Sequence, residues 1–341
     1  MRRPRGGRAT LASGLALAFA LALAGGLAPW PARAQEGGAA PPGGPGEAVD
    51  LRPRYAEGDR LEVEARMTLV LRLRLVAASV GLDRTSEQEQ VVLRRYRDRV
   101  GACAGERVDQ VERRFLEAWD GLRLPGAREL ERTPSPLHQR RVLVVRDREG
   151  RRRARLPEED RVAVPREVLD DEGFTERWEA LLPREPVAPG ARWAVDGEAL
   201  RAALGSGLAR AEGEATASFV CLARGERLEP GAAPGDYAVV DLRLDVAGPV
   251  GDEPDAPRMR AVLTGSLWFD LAARKLAKVH LEGEARLRQT RTEGEATVEL
   301  DGKGPLVISK RLWFPERPPP PPPGQPGSGA RPVDPGLPPP R

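Results

Sequence analysis

The chain has 341 residues, of which 40% are hydrophobic and 31% charged, and its formal net charge at pH 7 is +3. This length allows one large β domain or two small ones between the termini. Arginines alternate with glutamates and aspartates, whereas a nucleic-acid-binding protein needs a net basic domain or stripe, so the composition excludes nucleic acid as a partner.

Residues 1–34 are predicted to be a secretory signal peptide. Four of the first eight residues are arginine, an apolar segment covers 11–27, and Ala32-Arg33-Ala34 supplies a small-residue cleavage site. The apolar segment is borderline in length for a membrane span, but the cleavage site favours removal after Ala34. Cleavage removes five arginines and takes the net charge from +3 to about −2. We therefore expect a periplasmic or extracellular protein with no transmembrane segment after cleavage.

A long strand follows the Gly/Pro-rich linker at residues 35–49. From Leu61 to Leu75 every odd position is apolar, and nearly every even position is polar. This period of two predicts a half-buried strand of about fifteen residues. Such a strand would be about 50 Å long, which suits a strongly curved sheet or an open barrel.

The next segments are shorter or ambiguous. Residues 108–122 have apolar side chains at helical spacing, but a tight turn at Ala104-Gly105-Glu106 favours a hairpin with 91–100, so we predict a strand. Residues 142–145 are an apolar run that ends in a turn at 147–150.

Two helices are predicted in a connection at residues 165–205. Pro165 opens a segment whose apolar residues could line one helical face until Pro183. A second, short helix begins after Asp196, a plausible N-cap, and extends to Leu204.

The second run of strands includes residues 238–246, 306–314 and a hairpin at 260–288. Lys310 alone breaks the apolar parity of its strand. In the hairpin, the even positions 278–288 are all polar, so His280 is expected on the solvated face. Six consecutive prolines then begin a tail at 317–341, predicted to be disordered and extended as a spacer, or else to bind an aromatic-grooved partner.

Cys103 and Cys221 leave two alternatives open. A disulfide between them would close a loop of over a hundred residues and contribute about 4–5 kcal/mol. They could instead be separate buried thiols. Cys221 shares its parity with Ala217 and Phe219, so we expect it to face inward.

Catalytic and metal motifs are scarce. The two histidines, His138 and His280, are both expected to be exposed. No cysteine cluster has zinc spacing. Acidic runs at 158–160, 170–172 and 252–255 could bind a hard cation but are more simply charged loops or the first turn of a helix. The basic run 151–153 could contact an anionic headgroup or polymer but is more simply a solvated hairpin tip. We predict no catalytic residue, no cofactor and no metal.

Three phrases carry a resemblance: LLPREPVAPGARWAVDGEAL (181–200), GSLWFD (265–270) and KLAKVHLEG (275–283). With them the chain resembles an uncharacterised family of secreted bacterial β-rich proteins, to which no reaction is assigned. The implied shape is similar to that of the lipoprotein carriers of the LolA and LppX type, in which a curved antiparallel sheet wraps around helices.

We therefore predict a mainly β (α+β) fold, a long curved antiparallel sheet or open half-barrel with one or two short helices packed on it. Residues 50–316 would form a single domain of two strand runs, 50–164 and 206–316, joined by the helical connection.

The leading functional hypothesis is an exported, non-catalytic envelope protein that binds a hydrophobic or lipid-like ligand inside the half-barrel. The alternatives are a structural or interaction domain with a proline-rich spacer tail, and a hydrolase acting on envelope polymers. The candidate wall of an apolar site is Leu69, Leu71, Leu73, Phe174, Trp178, Leu267 and Phe269, unless these residues simply fill the core.

Overall fold

The computed structural model describes residues 46–158, 160, 164–205, 211–229, 232–250, 255–293 and 296–314. The predicted signal peptide, most of the linker and the proline-rich tail lie outside the described residues. The strands are β1 Arg60–Ala77, β2 Leu82–Ala104, β3 Arg107–Arg123, β4 Glu131–Pro134, β5 Arg141–Arg146, β6 Arg152–Arg155, β7 Arg192–Val195, β8 Glu212–Glu226, β9 Gly235–Pro249, β10 Arg258–Asp270, β11 Lys275–Glu293 and β12 Ala296–Trp313. The helices are α1 Arg166–Asp170 and α2 Gly197–Leu204, with 3₁₀ helices at Ala78–Val80 and Arg177–Leu181.

All twelve strands form one antiparallel sheet that does not close, which confirms the predicted fold class. The order is β6-β5-β3-β2-β1-β12-β11-β10-β9-β8-β7, with β4 paired to β3 outside this path. The first and last strands meet at the centre, where Met67 lies opposite Ile308. Both edge strands, β6 and β7, have only four residues, and short edges limit pairing with other chains.

The period of two in β1 is confirmed by its burial. Ala65 and Met67 are completely buried on the inner face, and the neighbouring polar residues point outward. The first half of β1 contributes Leu61 and Val63 to one hydrophobic cluster, and the second half contributes Met67 and the leucines to another. This one strand of 18 residues therefore contributes to both clusters.

The helical alternative for residues 108–122 is wrong, because they form β3. Bulges shift the register between β2 and β3 at three points. Each bulge adds one residue to a strand, so buried side chains recur after three positions instead of two. Val108 and Val111, and again Phe115 and Ala118, therefore imitate helical spacing although the backbone is extended.

Glycines permit the sheet to bend where β1, β12, β11 and β10 meet. A Cβ atom at Gly283 would lie 1.9 Å from the carbonyl oxygen of Val262, and one at Gly304 would lie 1.9 Å from that of Val70. A side chain at either position would force the neighbouring backbone to shift. The backbones of neighbouring strands approach this closely because glycine kinks give a sheet its curvature.

The helical connection packs on the inner face but is not the single helix predicted for 165–182. Helix α1 ends at Asp170, and the chain turns through Gly173 before the 3₁₀ helix begins at Arg177. Phe174 and Trp178 consequently pack against different hydrophobic clusters. The predicted N-cap of α2 is confirmed, since Asp196 accepts a hydrogen bond of 2.8 Å from the backbone of Glu198.

In the part of the chain that the structure describes, no helix combines the length and apolarity required to cross a bilayer.

Candidate functional site

The residues of the predicted apolar wall are packed core residues. Six of them belong to the larger hydrophobic cluster and are at most 8% exposed; they are Leu69, Leu71, Leu73, Trp178, Leu267 and Phe269. The seventh, Phe174, is half-buried against the smaller cluster. The connection fills the inner face here, because Trp178 and Leu181 lie in the same cluster as the sheet leucines.

A layer of buried ionisable groups joins the connection to the sheet, and sequence reasoning missed it. Glu179 accepts hydrogen bonds from the Tyr55 hydroxyl at 2.9 Å and from the backbone of Leu276 at 3.3 Å. Burial, followed by the nearby charge of Glu176, raises the pKa of Glu179 to about 8. Glu179 is therefore a neutral carboxylic acid at pH 7 that ties the 3₁₀ helix to β11 and to the chain before β1.

Glu176 forms a buried ion pair with Lys310. Burial lowers the pKa of Lys310, but the Glu176 carboxylate and the neighbouring Tyr96 together hold this pKa above its ordinary value. In β12, Lys310 occupies a position where the alternation predicts an apolar residue. This is the one feature of the sequence that could have revealed the layer. A second buried lysine, Lys275, lies 2.8 Å from Asp59.

Arg113 completes the layer on β3. Its guanidinium donates to both oxygens of Asp98 at 2.8 and 2.6 Å, contacts Glu172, and lies 4.2 Å from the ring centroid of Tyr96. Beside it is a cavity of about 10 Å³, bordered by Asp98, Arg113 and Phe174, which has room for about one water molecule. Because these charges are paired and enclosed, we interpret the layer as a tether for the connection.

The larger concavity is a groove of about 700 Å³ on the outer face of β7–β10. Three successive cross-strand rows build it. Trp193, Ala217, Leu242 and Gly265 form the middle row, whose backbone makes the floor. The rows on either side direct their side chains outward; they are Arg192, Ser218, Asp241 and Ser266 in one and Ala194, Thr216, Arg243 and Thr264 in the other.

The groove carries hydroxyls and the carboxylate of Asp241. Partial burial raises the pKa of Asp241, and in the described part of the chain this carboxylate has no ion-pair partner. The edge of the groove is fixed by Trp193, whose indole N–H donates to the backbone oxygen of Leu181 at 3.0 Å. The groove therefore offers hydrogen-bonding groups on a supported strand framework.

His280 lies beside the groove on the outer face of β11, as the alternation predicts, and its side chain is 45% exposed. Ser266 lies opposite it on β10, and Asp241 lies beyond Ser266. A catalytic triad needs the histidine between the acid and the hydroxyl, whereas here the serine is in the middle. Ser266 also accepts a hydrogen bond from the Trp268 indole at 3.0 Å.

His138 is half-buried rather than exposed, which corrects the prediction. Its Nδ1 accepts a hydrogen bond of 3.1 Å from the backbone N–H of Ala118. The turn at 136–139 brings the ring against β3, where it satisfies a strand N–H.

Both cysteines are free thiols in the structure. The expectation that Cys221 faces inward is wrong, because the register of β8 shifts between Phe219 and Cys221. This bulge at Val220 turns Cys221 to the outer face, where it is exposed. Cys103 is half-buried near the backbone oxygen of Tyr55, at 3.8 Å.

In the described part of the chain, charged side chains of the acidic and basic runs form ion pairs. Asp171 pairs with Arg177 at 2.6 Å, and Arg151 and Arg153 both pair with Asp147 at the hairpin tip. Glu159 and residues 252–254 lie outside the described residues. Among the residues that are described, no group of three or more histidines, cysteines or acids could hold a metal ion.

No known protein-family model matches this chain, and a search of curated proteins finds no match to it.

Proposed function

We propose that the chain is an exported, non-catalytic interaction domain of the bacterial cell envelope that contacts its partner through the outer-face groove. The observation that carries this proposal is the contrast between the two faces of the sheet. Leu267 and Phe269 on the inner face are completely buried, whereas the outer face of β7–β10 carries a groove of about 700 Å³. Ligand sites have volumes of about 300–1,000 Å³.

Export is inferred from residues 1–34, and the proline-rich tail acts as a spacer between the domain and its surroundings. The inner face favours this function over lipid carriage, because a carrier needs a cavity long enough for an acyl chain. The predicted wall residues instead pack against the helical connection. Their burial stabilises the fold by about 1.5–3 kcal/mol for each large side chain.

The test is co-sedimentation of the mature chain with cell envelopes isolated from the organism that encodes it. The double variant Thr216→Arg/Thr264→Arg fills the groove from two exposed positions. The matched control, Thr85→Arg/Thr290→Arg, adds the same charge at exposed positions outside the groove. We expect the wild type and the control to sediment and the groove variant to remain in the supernatant. A wild type that stays in the supernatant, or a groove variant that sediments like the control, would overturn the proposal.

A further inference from the structure

The chemistry of the groove limits what it can bind. Its outward rows contain four hydroxyl side chains, one carboxylate and two guanidinium groups, and the only aliphatic side chain among these outward residues is Ala194. An acyl chain would find no apolar wall here. The phosphates of a nucleic-acid backbone would be repelled by the carboxylate of Asp241 in the middle of the groove.

The position of the groove also argues against an extended peptide. A peptide that adds as a strand needs a free sheet edge, whereas the groove lies on the face of four hydrogen-bonded strands. The backbone N–H and C=O groups of β8, β9 and β10 are already paired on both sides. The edge strand β7 offers only four residues, which is too short to guide a strand-forming peptide. A ligand must therefore be recognised by side chains.

The regular spacing of these side chains suits a ligand with several polar groups in a row. Neighbouring strands are about 4.8 Å apart, so Ser218, Asp241 and Ser266 present a polar group about every 4.8 Å across the groove. Hydroxyls both donate and accept hydrogen bonds, a carboxylate accepts two, and a guanidinium donates several. This mixture suits a ligand that is rich in donors and acceptors at once.

We infer that the outer-face groove binds an oligosaccharide, with Asp241 as the central acceptor for sugar hydroxyls and Arg243 and the serine and threonine hydroxyls as flanking contacts. This inference rests on the proposed function and names the chemical class of the partner. Asp241 is suited to its role because it has no ion-pair partner within the described residues to compete with a sugar. The floor below it is part of the core, since Leu242 is 2% exposed.

The experiment is isothermal titration calorimetry of the mature chain at pH 7 with three hexasaccharides: maltohexaose, cellohexaose and hexa-N-acetylchitohexaose. We expect at least one of them to bind in the high-micromolar to millimolar range, and the comparison identifies the glycan type. Asp241→Asn should weaken that binding about tenfold or more, because a hydrogen bond to a charged group is lost. Thr264→Val, which keeps the side-chain shape, should weaken it less.

The matched control is Asp301→Asn, which removes an exposed carboxylate from β12, outside the groove. It should bind like the wild type, and circular dichroism should show that all the variants are folded. The absence of binding by all three hexasaccharides, or equal binding by wild type, Asp241→Asn and Thr264→Val, overturns the inference. If envelope co-sedimentation through the groove persists in that case, only the ligand class is wrong; if co-sedimentation fails as well, the proposed function is also wrong.

Discussion

The hydroxyl of Tyr55 lies 2.9 Å from both carboxylate oxygens of Glu179, although 124 positions separate the two residues in the chain. This contact joins the segment before the first strand to the connection between the two halves of the sheet. Burial keeps the carboxyl protonated at neutral pH, so a buried acid holds three parts of the chain together without carrying a charge.

This protonation makes stability depend on pH. The pKa of Glu179 rises from 4.5 to about 8 on folding, so between these values the folded state holds a proton that the unfolded chain releases. The free energy of unfolding should then fall as pH rises from 4.5 to 8, by up to about 1.4 kcal/mol per unit. Glu179→Gln cannot ionise, so the difference in stability between wild type and variant should decline across the window.

Urea denaturation of both proteins from pH 5 to pH 9 measures this difference. Glu129→Gln serves as the control, because Glu129 is exposed and the change should leave the pH profile of the wild type in place. A wild-type-minus-variant difference that stays constant with pH would contradict the protonated state.

The pair of Glu176 and Lys310 should be sensitive to the loss of one partner. Lys310→Met leaves the carboxylate of Glu176 buried without its cation, and we expect a loss of about 3–5 kcal/mol in the free energy of unfolding. The double variant Glu176→Gln/Lys310→Met removes both charges and should recover part of this loss.

Lys303→Met is the matched control for that experiment. Lys303 pairs with Glu284 at 2.8 Å, but its side chain is 56% exposed, so its loss should cost about 0–1 kcal/mol. Equal destabilisation by the two lysine substitutions in chemical denaturation would show that the buried pair has no special role.

The bend at Gly283 should not tolerate a side chain. In Gly283→Ala the new Cβ would lie 1.9 Å from the carbonyl oxygen of Val262, so the pairing of β10 with β11 must shift. We expect a loss of at least about 2 kcal/mol. Gly173→Ala is the comparison, because its nearest neighbour would be 3.7 Å away and the change should be within about 1 kcal/mol. A smaller loss for Gly283→Ala than for Gly173→Ala in thermal denaturation would refute this account of the curvature.

The two cysteines should titrate as thiols without reduction. Cys221 is exposed and Cys103 is half-buried, so we expect a thiol reagent to modify Cys221 first and Cys103 more slowly. Removal of the fast phase by Cys221→Ser, followed by mass spectrometry, checks the assignment. An intact mass lower by two hydrogens, with no reactive thiol, would instead indicate the disulfide.

The alternation of apolar and polar residues was sufficient to predict the long strands and the face of the sheet to which their side chains point. Residues 61–75 and the hairpin containing His280 are placed correctly because a strand directs successive side chains to opposite faces. The same rule fails at Val220 and along β3. A bulge there adds one residue to the strand, so the side chains after it point to the opposite face from the one that the alternation predicts. A bulge depends on the partner strand and leaves no clear mark in its own segment.

The sequence by itself determined the class of this protein: an alternating pattern of apolar and polar residues, repeated over long segments, can bury its apolar side only in a sheet. Only the tertiary structure decided where charges are buried and where the groove lies. Lys310 and Glu176 are 134 positions apart, and Asp241 joins Ser218 and Ser266 in one row only through the register of three strands. Such registers are fixed by packing across the whole sheet, which no local pattern of residues encodes.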